Sequence, residues 1–159
     1  MRLLLSVSIV VIGWIGIPDV ASADTSSRAL TVSATFSSRT SLKVSADLLR
    51  FDVASSGQAA TASVEFSAGT RTQSGAQVVL SVEPLRGVEG PGGAGDVETS
   101  LSFAGQGEGT LGGVLPGTGP TVAGQWSGSG MRHGRLVFAL QASASGTYTL
   151  PVRFVLSAP

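Results

Sequence analysis

An antiparallel β-sandwich is the fold class this sequence predicts, on three observations. Apolar residues recur at every second position over most of residues 30–156, the period that turns one strand face to a core and the other to solvent. Glycine accounts for 22 of 159 residues while charged side chains make up 13% and aromatics 6%, a balance unlike that of a helical bundle or a charged disordered chain. Beyond residue 24, a helical stripe survives only around residues 42–53; elsewhere Gly and β-branched runs interrupt every window.

Residues 1–23 stand apart. Arg2 precedes an apolar run from Leu3 to Ile17 broken only by Ser6 and Ser8, and Pro18, Asp19 and Ala21-Ser22-Ala23 follow. A basic start, an apolar stretch and a small-x-small site mark a cleaved secretory signal peptide. Fifteen helical residues rise only about 22 Å, short of the roughly 30 Å hydrocarbon core, which argues against a membrane anchor. Cleavage after Ala23 leaves one domain, residues 24–159, still neutral because Arg2 and Asp19 leave together. The chain has no cysteine, so neither a lipidated N-terminal Cys nor a disulfide framework is available and stability rests on burial. The absence of Asn and the single lysine, Lys43, resemble high-GC bacterial usage. The expected location is therefore the periplasm, surface or exterior of a bacterium.

The strands follow in order. Leu30, Val32, Ala34 and Phe36 alternate with Thr31, Ser33 and Thr35; Leu49, Phe51 and Val53 form a second set; Ala62, Val64, Phe66 and Ala68 a third. Leu42, Ala46, Leu49 and Val53 also fit helical spacing, which leaves a short helix open as the alternative there. Val78, Leu80 and Val82 alternate up to Pro84. Leu136, Phe138 and Leu140, then Tyr148, Leu150, Val152, Phe154 and Leu156, flank Ser143 to Gly146 and read as a closing hairpin.

Between Gly87 and Gly130, fifteen of the twenty glycines after residue 23 fall in forty-four residues. Short strands around Leu101 and Phe103, around Leu111, Val114 and Leu115, and around Val122 and Trp126 are expected there, joined by Gly turns. Gly90 to Gly95 is the expected mobile tip. In all, seven to nine strands are spaced as in a two-sheet sandwich.

The candidate chemistry is sparse. Gly90, Gly92 and Gly95, and again Gly107, Gly109 and Gly112, match G-x-G-x-x-G, but neither has the following helix that a phosphate site needs. His133 is the single histidine and no G-x-S-x-G elbow accompanies it. One His and no Cys cannot complete a zinc site. Glu89, Asp96 and Glu98 around the Gly-rich tip are a weak calcium candidate. Asp47 and Asp52 are the nearest thing to an acid/base pair. Trp126, the single Trp outside residues 1–23, is either core or a sugar-stacking platform. Zero net charge with scattered basic residues removes the footprint of nucleic-acid binding.

The closing stretch Ser145-Gly146-Thr147-Tyr148-Thr149-Leu150-Pro151-Val152-Arg153-Phe154-Val155-Leu156 resembles the C-terminal hairpin of secreted bacterial pilin-like domains. Spore coat protein U-like and related fimbrial-subunit families look similar. Leu48-Leu49-Arg50-Phe51-Asp52 resembles their L-x-F-G strand, with Asp52 where Gly is usual, and Val64 to Arg71 resembles the strand that follows. The resemblance implies an immunoglobulin-like sandwich that is exported and used, without catalysis or cofactor, as a structural or adhesive surface subunit. In pilin-like assemblies an N-terminal strand adds to the open edge of a neighbour, and Leu30, Val32 and Phe36 would be its docking side chains; ordinary pairing of this strand within its own sheet is the reading placed ahead of exchange. The alternative is a soluble carbohydrate- or ligand-binding module using Trp126 and the Gly-rich loops. Partners would be other copies, other surface proteins or a glycan.

Overall fold

A computed structural model describes residues 38–94 and 99–158, and contains no helix among them. Eight strands run six residues or more: β1 (Arg39–Val44), β2 (Leu48–Val53), β3 (Ala59–Arg71), β4 (Gln77–Pro84), β7 (Thr99–Gln106), β9 (Thr121–Ser127), β10 (Gly130–Ala142) and β11 (Gly146–Ser157). Three more hold two residues each: β5 (Glu89–Gly90), β6 (Gly93–Ala94) and β8 (Gly113–Val114). The helical alternative over residues 42–53 gives way to β1 and β2, because the strand period buries Leu49, Phe51 and Val53 together. The strand expected over Leu30 to Phe36, like the segment 1–23, lies outside the described residues.

Two sheets form a sandwich. Sheet 1 has the order β1-β3-β10-β7-β8; sheet 2 has the order β6-β5-β11-β4-β9, with β2 also paired to β11. All pairings are antiparallel. Between the sheets lie the expected alternating sets: Val64, Phe66 and Ala68; Val78, Leu80 and Val82; Leu136, Phe138 and Leu140; Tyr148, Leu150 and Val152. Phe103 and Phe138, neighbours across β7 and β10, pack with ring centroids 5.9 Å apart in a tilted pair.

The long strands alternate between the sheets along the chain, so no two successive long strands pair. This corrects the closing hairpin. β10 pairs with β3 and β7, whereas β11 pairs with β2, β4 and β5, so residues 143–145 arch from one sheet to the other. The 54–58 connection crosses beside it and the two are tied: Gly57 N donates to Ala142 O at 3.0 Å and Ser56 Oγ to Ser143 O at 2.7 Å. Tyr148 closes the arch. Its ring is fully buried and its hydroxyl donates to Ala144 O at 2.7 Å, the geometry of a tyrosine corner.

The Gly-rich tip carries a short ladder of its own. Gly90 and Gly93 pair in the β5-β6 ladder, and Glu89 pairs with Thr149 of β11; Gly95 falls outside the described residues. A Cβ on Gly90 would stand 2.5 Å from Tyr148 Cε1, so only glycine lets this backbone lie on the ring. In β9 a register shift at Leu80/Ser81 buries both Ala123 and Gly124, which turns Val122 outward while Trp126 stays inward.

Candidate functional site

β11 is two strands in one. From Gly146 to Pro151 it is paired with β2 on one side, and Thr149 is paired with β5 on the other. From Val152 to Ser157, among the described strands, only β4 pairs with it. The side left open follows from strand geometry, since a residue's N–H and C=O address the same neighbour and alternate along the strand. Leu85 N donates to Pro151 O at 3.0 Å, so odd residues address the β4 side; Val152 N donates to Asp47 O at 2.8 Å, so even residues address the β2 side. β2 ends its pairing at Leu48. Beyond Asp47 the N–H and C=O of Phe154 and Leu156 therefore face an edge where no described strand pairs.

The side chains beside this edge are apolar. Phe154 and Leu156 point toward the core yet remain half-buried, as do Leu42 and Val44 on the neighbouring strand β1 and Ala46 and Ala158 at its ends. β1 belongs to sheet 1, β11 to sheet 2, and the two come close without pairing. Between the margins of the two sheets, Leu42, Val44, Phe154 and Leu156 thus form a half-buried apolar groove whose β11 wall is backbone that no described strand pairs. A strand laid there would gain backbone hydrogen bonds and pockets for alternate side chains. Leu30, Val32 and Phe36, the side chains expected to dock in such a place, lie outside the described residues.

The other candidate residues fall elsewhere. Trp126 is 8% exposed among core side chains, with its indole N–H buried and without a hydrogen-bond partner among the described residues. Its ring therefore presents no open face for stacking on a sugar. Glu89 pairs with Arg86 at 2.9 Å, while Asp96 and Glu98 lie outside the described residues. Among the described residues no three metal-ligating side chains come together. Asp52 accepts the Thr147 hydroxyl at 2.8 Å and sits 3.7 Å from Arg50; Asp47 serves β11 through its backbone carbonyl. Gly107 and Gly109 shape a turn in which Thr110 Oγ1 donates to Gly107 O at 2.7 Å. The chain then bridges to β9 through Gln125 N to Gly109 O and Leu111 N to Ala123 O. No helix follows to hold a phosphate.

His133 is exposed on the outer face of sheet 1, opposite Ser67. With Glu65, Phe66, Gln106, Gly134 and Arg135 it lines a shallow open depression of about 400 Å³. The Glu65 carboxylate is taken by Arg135 at 2.5 Å. No known family model matches this chain, and no curated protein is similar to it.

Sequence reasoning placed Phe154 and Leu156 in phase with Tyr148 and missed the groove, because phase reports a face and not a partner. Pro151 is the signal that was available. Proline within a strand has no N–H to give and sits where pairing is interrupted. Here it falls where β4 ends its ladder, Leu85 to Val88 bulge out before β5, and β2 stops.

Proposed function

We propose that the chain is an exported, non-enzymatic structural subunit of a bacterial surface that joins its neighbours by strand addition. The observation carrying this reading is the open edge of β11 over half-buried Phe154 and Leu156. An added strand would bond to residues 154 and 156 and seat alternate side chains against Leu42, Val44, Phe154 and Leu156. Residues 29–36 supply that alternation in Leu30, Val32 and Phe36, directly upstream of β1. The signal-like residues 1–23 and the resemblance of the closing stretch to pilin-like domains point the same way. The alternative, a ligand-binding module built on Trp126, is disfavoured by the burial of that ring.

The test is deletion of residues 24–36 from the chain that begins at Asp24, followed by light scattering on a sizing column. Assembly predicts particles larger than a monomer from the full mature chain. It also predicts a folded monomer from the truncated one, which binds a synthetic peptide spanning residues 24–36. A truncated chain that unfolds, together with a monomeric full-length chain, means that the segment pairs within its own molecule and the assembly reading is wrong.

A further inference from the structure

Five of the eight cations of the described residues are paired within the molecule. Arg50, Arg86, Arg132, Arg135 and Arg153 each have a carboxylate within 4 Å, namely Asp52, Glu89, Glu108, Glu65 and Glu83. Arg39, Lys43 and Arg71 have none among the described residues, and all three are exposed. These three lie together. Arg39 and Arg71 are directly opposite each other on β1 and β3, and Lys43 is two steps along β1 on the same outward face. Like charges set opposite one another on a sheet are unfavourable.

The cations belong to a larger surface. Successive cross-strand rows on the outer face of sheet 1 read Arg39 and Arg71; Ser41, Gly69 and Met131; Lys43, Ser67 and His133; then Glu65, Arg135 and Gln106. Four rows at about 6.6 Å per step span about 20 Å, across strands about 4.8 Å apart. The last two rows border the 400 Å³ depression lined by Gln106, His133 and Arg135. Protection of an edge strand would explain charges on β1, but not Arg71 on the interior strand β3 opposite one of them.

We infer that the outer face of sheet 1 binds an acidic polysaccharide, with Arg39, Lys43 and Arg71 holding carboxylate or phosphate groups and the His133 depression receiving a sugar ring of the same chain. Guanidinium groups grip such oxyanions bidentately. Ser41 and Ser67 between them, and Gln106 at the rim, are the hydroxyl and amide partners that sugar hydroxyls need. A bilayer surface asks for exposed aromatic or long apolar anchors among the cations, and here Met131 alone serves, at 57% exposed. Nucleic acid asks for many more phosphate contacts than three unpaired cations on a neutral chain provide. This face is distinct from the β11 edge, so the inference does not depend on strand assembly.

The experiment measures binding of the secreted chain to immobilised alginate, a polyuronate, beside neutral dextran and phosphatidylglycerol vesicles, at low and high salt. Retention on alginate and not on dextran is expected, weakened about tenfold or more by salt. The triple variant Arg39→Gln, Lys43→Gln, Arg71→Gln should lose about tenfold or more, and Arg50→Gln with Arg153→Gln, on the opposite sheet, less than about twofold. If the triple variant melts early, the single Lys43→Gln and Arg71→Gln variants carry the comparison. No retention on alginate, equal retention on dextran, preference for vesicles, or equal losses from both sets of variants would overturn the assignment.

Discussion

The two halves of β11 make opposite use of the same strand pattern. From Gly146 to Pro151 the strand has neighbours on both sides, and Tyr148 and Leu150 are buried to 0% and 1% exposure. Beyond Val152 it has one neighbour among the described residues, and Phe154 and Leu156 stay half-buried although they continue the same inward phase. Hydrophobic phase sets which way a side chain points; the number of strands flanking it sets how much water it loses. Stability therefore concentrates in the first half, and among the described residues the second half leaves apolar surface partly uncovered.

The largest expected effect tests the first half. Tyr148→Ala removes a fully buried ring and leaves the Ala144 carbonyl without its donor, at a cost of about 3–5 kcal/mol. Chemical denaturation would measure it, and a loss under about 1 kcal/mol would mean that the arch does not depend on its tyrosine. Next comes Gly90→Ala, whose methyl group would intrude on the same ring from β5. The ring is enclosed and cannot swing clear, so a loss of about 1–3 kcal/mol is expected from overpacking. An unchanged midpoint would show that β5 can lift off β11. The smallest is Phe154→Ala in the open half, where partial burial limits the loss to about 1–2 kcal/mol in the isolated domain. A loss matching that of Tyr148→Ala would erase the difference between the halves, and with it the argument for an open groove.

A second contrast lies across the groove. The free edge of β1 carries Arg39 and Lys43, the kind of charge that keeps strand edges from sticking, and the edge of β9 is occupied by the Thr110 to Gly124 bridge. The edge of β11 at Phe154 and Leu156 has neither a charged inward side chain nor a covering segment among the described residues. Among the described residues, this edge is without the devices that the edges of β1 and β9 carry.

How far the sequence could be read follows the same division. The inward sets on β2, β3, β4, β10 and the first half of β11 were legible, because period-two alternation reports directly on burial. Partnership was not. Ser143 to Gly146 has the length and the glycine of a hairpin loop, and nothing local distinguishes a turn within a sheet from an arch between sheets. The distinction comes from Tyr148 reaching back to Ala144 and from the 54–58 connection crossing alongside. At the candidate sites the sequence listed residue types well and neighbours poorly. Trp126 was legible as core or platform and only packing decided between them. The cationic face of sheet 1 was invisible because Arg71 is far in sequence from Arg39 and Lys43 and meets them only through the β1-β3 ladder.

The placement of β11 also sets a clock. It joins β2, β5 and β4 into sheet 2, and β5 and β4 in turn hold β6 and β9, so the five earlier strands of that sheet are united only by the latest-made one. In sheet 1, β3 has β1 from the start but meets its other neighbour only when β10 is made; the Glu65 to Arg135 bond spans 70 residues. With no successive long strands paired, a nascent chain emerging at about 5–20 residues per second has only the short β5-β6 and β7-β8 ladders as local pairings in which to bury its apolar faces. Such long-range pairings also make for slow folding, on the order of milliseconds to seconds. Sheet 2 cannot close behind the ribosome until residue 157 has been added.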